Sequence, residues 1–348
     1  MVGRFGRVGF GARAAAGLLA AAALWLAGCD GGPGGETPPV AMRWKVQQDG
    51  IEAGALMAAT LLPNGDPLIV GGQATMGAAW QLTADGLDAE PVPAGKLLNW
   101  ASVGVDGETL VVGNGRRALW RSESGTWESE DLPAGDELWG CFAFGKDDAW
   151  AVGGDEVKTD VMEPRLLHRT AAGWQSVTLP ELTKERQNAR LFKIDGHGPN
   201  DLLVVGDVGL ALHWDGTAWK EESTGTAENL VTVRRLGTDR YVVVGGVATG
   251  FVLIREPDGS WNKVKDVMVG LSGVDVFEDG KKVWVAGSYG WMEEVDLAAG
   301  TSVEIDEPLT SDVLHFVLRL PGGGALAGGG NFQVWPNAMK GTLLRYGP

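Results

Sequence analysis

Four histidines and two cysteines are the side chains best suited to metal binding or nucleophilic attack in this 348-residue chain. Their spacing supports neither. His168, His197, His213 and His315 stand apart, whereas a zinc site needs three or four ligands on one point. His168 and His213 fall at the same place in successive repeats, which points to shared packing. Asp155, Glu156 and Asp160 gather acids but lack the Asp/Asn-Gly loop pattern of a calcium site. The acids of Glu128-Ser129-Glu130-Asp131 read as a solvated outer strand. No H-E-x-x-H, phosphate-binding loop, G-x-S-x-G or C-x-x-C occurs. No catalytic residue, metal site or cofactor is assigned. Cys141, inside the apolar run LWGCFAFG, is expected to be a buried small hydrophobe.

The other cysteine has a different setting. Arg4, Arg7 and Arg13 precede an apolar run from Ala14 to Leu26, followed by Leu26-Ala27-Gly28-Cys29. The run is too short to span a membrane, which takes roughly 20 residues. Small residues before a cysteine that closes such a segment resemble a bacterial lipobox. The resemblance implies a signal peptide over 1–28, cleavage before Cys29 and a diacylglycerol on its sulfur. Residues 29–40 then form a lipidated tether, because DGGPGGETPP holds nothing to bury. Lipidation of Cys29 leaves Cys141 without a disulfide partner.

Three of the 29 Lys and Arg lie in the signal and none of the 45 Asp and Glu do, so the remainder carries 26 against 45, a formal charge of −19. Such a surface repels nucleic acid and anionic headgroups. It fits a body held at an inner or outer cell-envelope membrane by lipid alone, in the periplasm or at the cell surface.

Positioning is the work of a repeat. NGDPLIVGG, DGETLVVGN, KDDAWAVGG, PNDLLVVGD, TDRYVVVGG, GKKVWVAGS and GGGALAGGG share a turn, a β-branched run and a glycine. The marker glycines are Gly71, Gly113, Gly153, Gly206, Gly245, Gly287 and Gly328, at steps of 42, 40, 53, 39, 42 and 41. That period is the mark of four-stranded propeller blades. In LFKIDGHGPNDLLVVGDVGLALHWDGTAWKEES the strands are LFKI, LLVVG, LALHW and AWKEE, here named a to d. A strand-d tryptophan recurs as Trp127, Trp174, Trp219 and Trp261 and is expected to pack blade on blade. The seventh copy ends at GTLLRYGP without a strand d. Trp44 in RWKVQ matches Trp219, so residues 42–48 supply it. The expectation is an all-β, seven-bladed propeller over 41–348, its ring closed by the first strand.

VVGDVGLALHWDGTAW is similar to bacterial WD40/YVTN/BNR-like propellers, the photosystem II assembly-factor-like group. The resemblance implies the fold. It does not imply sialidase chemistry, since Asp215 stands one position too close to Trp219 for an Asp-box and no serine precedes it at the right distance.

Binding candidates follow from loops and strand starts. DEVKTDVMEP (155–164) and ELTKERQNAR (181–190) lengthen the b–c and d–a connections around blade 3. Both project from the end where strand a begins, which offers Asp155, Glu156, Lys184 and Arg186. Asn99, Trp100, Trp139, Phe192 and His315 start strand a at the channel mouth. Their rings suit a sugar or a partner's loop, or equally the packing between blades. The function expected is a lipid-anchored, non-enzymatic scaffold for a protein or glycan. The alternative is a glycosidase or lyase, which would need converging carboxylates at the mouth.

Overall fold

The computed structural model describes residues 41–158, 161–305, 307–331 and 339–348. The expected signal peptide, Cys29, the tether and Asp160 lie outside them. Among the described residues the strands form seven antiparallel sheets of four. Blade 1 comprises Ala55–Leu61, Pro67–Gln73, Met76–Thr83 and Gly86–Ala89, and blade 2 Leu98–Val103, Thr109–Gly113, Arg117–Arg121 and Trp127–Asp131. Blades 3 to 6 repeat the order from Glu137–Gly145, Leu191–Gly198, Leu230–Leu236 and Leu271–Val276 as their first strands. The middle of strand b is buried in each blade, as in Thr109–Gly113, because it lies between two neighbouring sheets, and its β-branched run suits that place. Strand d faces solvent and carries the charge, as in Trp127–Asp131.

Blade 7 takes Val313–Arg319, Ala325–Gly330 and Gly341–Gly347 and is completed by Arg43–Ile51. Trp44 pairs with Tyr346, as the match to Trp219 requires. The closing strand runs three residues beyond 48, because Ile51 is pulled into the cluster around Leu56 and Phe316. The blade-3 insertion is not a loop but an extended hairpin, paired from Ala149↔Arg169 out to Lys158↔Val161. The second insertion holds one 3-10 turn, Lys184–Arg186.

Each strand a begins with the same defect. Leu56, Leu98, Leu138, Leu191, Leu230, Leu271 and Leu314 each face a strand-b glycine, and the register slips immediately after. This β-bulge explains the marker glycine. A Cβ at Gly71, Gly113 or Gly206 would lie 1.9, 2.1 or 2.1 Å from the carbonyl oxygen of the residue before that leucine. In blade 7 the equivalent residue is Gly329, facing Leu314 with Val313 O 1.7 Å from its Cβ position. The marker there is therefore one residue later than the sequence pattern places it.

Five of the seven blade junctions are built in two ways. In the first, a carboxylate in strand d or directly after it accepts from the next blade's strand-d indole and strand-c guanidinium. Glu90 accepts from Trp127 (2.9 Å) and Arg121 (2.8 Å). Glu130 accepts from Trp174 (2.8 Å) and Arg169 (2.9 Å), and Glu222 from Trp261 (3.0 Å) and Arg255 (2.7 Å). Glu130 is thus a clamp and not the solvated acid its sequence suggests. In the second, an aromatic residue replaces the arginine. Trp150, Trp214 and Trp219 pack together at the blade 3–4 junction, and Trp284, Tyr346 and Trp44 at the 6–7 junction, with centroids 5.4–6.2 Å apart. His168 and His213 bond to Asp148 (2.9 Å) and Asp201 (2.8 Å) on strand b. They share a structural role, as their common position suggests. Cys141 is fully buried, and burial raises its thiol pKa.

Two outcomes follow. Trp44→Ala removes the closing indole from a nearly sealed site and should lower unfolding free energy by about 3–5 kcal/mol in urea titrations. An unchanged midpoint would show that the ring does not depend on its seam. Burial raises the carboxyl of Glu130, but hydrogen bonds from Arg169, Trp174 and Trp120 outweigh it, and Glu90 likewise ends below its ordinary value. Their folded pKa values lie under the unfolded ones, so their contribution is present above about pH 4.5 and is lost as pH falls through the lower folded values. Glu130→Gln should flatten that acid loss in urea midpoints taken from about pH 6 to pH 3.

Candidate functional site

The bulge turns one side chain per blade toward the axis. The residues in the slip are Met57, Asn99, Trp139, Phe192, Val231, Ser272 and His315. All seven line one cavity of about 320 Å³ at the channel's upper end, where strand a starts. Asn229, Thr232, Lys193 and residues of the b–c turns complete the wall.

The ring is uneven. Trp139, Phe192 and Val231 give an apolar arc, with Trp139 edge-to-face on Phe192 at 6.2 Å. Asn99, Ser272 and His315 give neutral polar groups. Burial, with the charge of Lys193, lowers His315 to about 3, so it is uncharged at neutral pH. Lys193 is the single Lys, Arg, Asp or Glu among the lining residues described. Its Nζ bonds to the Trp139 carbonyl and lies 4.4 Å from the Trp100 ring centroid. Burial, with Arg234 nearby, pushes its pKa down to about 7.

The structure brings together Asn99, Trp139, Phe192 and His315 of the mouth candidates. Trp100 is one position past the bulge, sits in the core cluster between blades, and borders the cavity at the opposite end of the channel. The loop candidates do not reach the mouth cavity. Asp155 accepts from the backbone of Gly135 (2.7 Å) and Asp136 (2.6 Å) and pairs with Arg165 (2.6 Å). Arg186 pairs with Glu221 (2.7 Å) and bonds to the Val208 carbonyl (3.1 Å). Glu156 and Lys184 are exposed. Met57, Val231 and Ser272 were not singled out from sequence, although each directly follows the recurrent strand-a leucine. No pair of carboxylates stands in the described mouth lining.

The b–c turns framing the mouth hold the three non-glycine residues with positive φ among those described: Arg116 (58°), Val208 (51°) and Tyr289 (59°). This left-handed backbone disfavours any side chain, most of all a β-branched one.

No family model and no curated protein matches the chain. Solved propellers do. The β-propeller domain of Cps50 (Swd1) from Myceliophthora thermophila matches at TM-score 0.66 and 13% identity, covering 88% of this chain and all of that one. YCF48 bound to D1 peptide matches at 0.62 and 15%, over 88% and 97% of the two chains. A catalytically inactive virginiamycin B lyase from Staphylococcus aureus with quinupristin matches at 0.66 and 13%, over 87% and 99%. At these identities the likeness is one of fold.

Tyr289 is 62% exposed, so its ring contributes little packing against its backbone strain. Tyr289→Gly should raise stability by about 1 kcal/mol, read as a higher denaturation midpoint. A fall would show that the ring is held by contacts that outweigh the strain.

Proposed function

We propose that this protein is a binding scaffold that receives a partner protein on its upper face, held to a cell-envelope membrane by lipid on Cys29. One observation carries the binding face. Met76, Val157, Val247, Met268, Tyr289 and Leu309 are large apolar side chains between 36% and 80% exposed. Of the ten large apolar side chains exposed among the described residues, these six stand at the end that carries the b–c and d–a connections: Met76 opens strand c, Val157 lies in the extended hairpin of blade 3, and the other four are in the connections themselves. Exposed apolar groups gathered on one face mark an interaction surface, whereas scattered ones need no explanation. The aromatic arc at the centre gives such a partner a pocket for an anchoring side chain. The recorded complex of YCF48 with a D1 peptide is a precedent for peptide binding by a protein of this fold.

The anchor rests on sequence: three arginines, the apolar run 14–26 and the small residues before Cys29. A glycosidase or lyase reading is favoured by the virginiamycin B lyase likeness alone. The described lining supplies no acid pair for glycoside cleavage.

The test is site-specific photocrosslinking in intact cells. A photoreactive residue at Val247, on the mouth, should yield a discrete partner adduct that Phe192→Asp abolishes. The same residue at Val105, in the a–b turn at the opposite end and 95% exposed, should not. Adducts from Val105 and none from Val247 would reverse the assignment of the face.

A further inference from the structure

Asn99 Oδ1 and Trp139 Nε1, on adjacent blades, are buried at the mouth with no partner among the described residues. Asn99 is 1% exposed. Its Nδ2 donates to the main-chain carbonyl of Leu138 at 2.9 Å and to Asn114 Oδ1 at 2.9 Å. A carbonyl only accepts, so the Asn99 amide cannot be turned round. Its Oδ1 is therefore a fixed acceptor, and it is buried without a partner among the described residues. Trp139 follows Leu138 directly. Its Nε1–H is a buried donor, also without a partner. Both residues line the same cavity. Lys193 adds a third group, since its amine bonds to the Trp139 carbonyl and keeps further N–H capacity.

The complementary ligand must accept at one edge and donate at another, beside apolar surface. A carboxylate only accepts, which leaves Asn99 Oδ1 unmet. An ammonium only donates and would meet Lys193. A hydroxyl offers one centre for both tasks. A secondary amide holds an acceptor and a donor apart in one rigid plane.

We infer that the mouth cavity recognises a secondary amide, its carbonyl directed to Trp139 Nε1 and Lys193, its N–H to Asn99 Oδ1, and a small apolar substituent to Phe192 and Val231. A peptide bond and an N-acetylated sugar share this group. The inference rests on the upper mouth being the binding face and narrows what that face binds. Both unpaired atoms are sealed by their neighbours, so the amide enters by displacing the Trp139 ring edge. Trp139 is only partly buried, and the two new hydrogen bonds satisfy groups that are otherwise costly to bury unpaired.

The test follows the indole N–H signals of the nitrogen-15-labelled full chain by NMR, with Trp139 assigned by its loss in Trp139→Phe. N-methylacetamide, which holds one secondary amide, is the peptide probe and N-acetylglucosamine the sugar probe. The controls are the ester analogue of the first and plain glucose. At least one amide should move the Trp139 indole proton downfield saturably, and the one that does identifies the source. The ester should bind about tenfold more weakly or worse, because an ester oxygen would face Asn99 Oδ1. Trp139→Phe keeps an aromatic ring and should weaken the amide about fivefold, read on the backbone amide signals of mouth residues such as Val231 and Ser272. An unmoved Trp139 indole with both amides, or an ester that binds as well as its amide, overturns the inference. If Trp139→Phe leaves the Val247 crosslink intact while the amides fail, the binding face stands and the amide specificity does not.

Discussion

The close approach of a strand-b glycine to the carbonyl of the residue before the strand-a leucine governs this molecule. At Gly71, Gly153 and Gly245 a Cβ would stand 1.9–2.0 Å from that oxygen, so no other residue fits without moving the backbone. The contact pins the start of the innermost strand and forces the extra residue of the bulge after it. Once the bulge is present, the side chain in it has no cross-strand partner and must turn toward the axis. Seven such contacts give seven inward side chains at one level, and the cavity is their sum.

The junctions between blades show how a single chain keeps a repeat while changing its chemistry. Where strand c ends in arginine, as at Arg121, Arg169 and Arg255, the preceding blade supplies a glutamate. Where an aromatic residue stands there, as at Trp214 and Tyr346, the neighbouring blade contributes a strand-b tryptophan, and Val177 or Ile305 packs alongside. The buried guanidinium is never left without its carboxylate, in keeping with the cost of an unpaired buried charge. The aromatic version has its own price: the indole N–H groups of Trp219 and Trp44 are buried without partners among the described residues.

The repeat, its period, the closing strand and the strand-d tryptophans were legible in the sequence, because each is a spacing of residue types. The register was not. A bulge inserts one residue without changing composition, so Trp139 and Trp100 look equivalent as early strand-a aromatics. Only one of them lies in the slip; Trp100, one residue on, faces the other end of the channel, where Lys193 and Arg234 of other blades lie over its ring. The same one-residue effect hides Gly329 behind Gly328. Met57, Val231 and Ser272 escaped because the search was for aromatic and polar residues, whereas the signal is position after the leucine. Glu130 escaped because burial of a carboxylate depends on the arginine of the next blade, 39 residues on.

A ring of positions that share one backbone geometry leaves their chemistry to the side chains alone. That freedom explains how Lys193 is tolerated. It occupies the place after the bulge that is alanine in blade 1 (Ala58) and glycine in blade 3 (Gly140). Burial depresses its pKa to about 7 from 10.5, so between those values the unfolded chain binds more protons than the folded one. Stability therefore rises with pH across that window, and below it the buried charge is a standing penalty. With His315 uncharged, the cavity's sign near neutral pH rests on this one amine. A neutral small residue would remove the penalty and is already used by three sister blades, Gly273 in blade 6 being the third. The lysine is the one charged residue at this position in the seven blades, and such departures from local consistency mark function more often than fold.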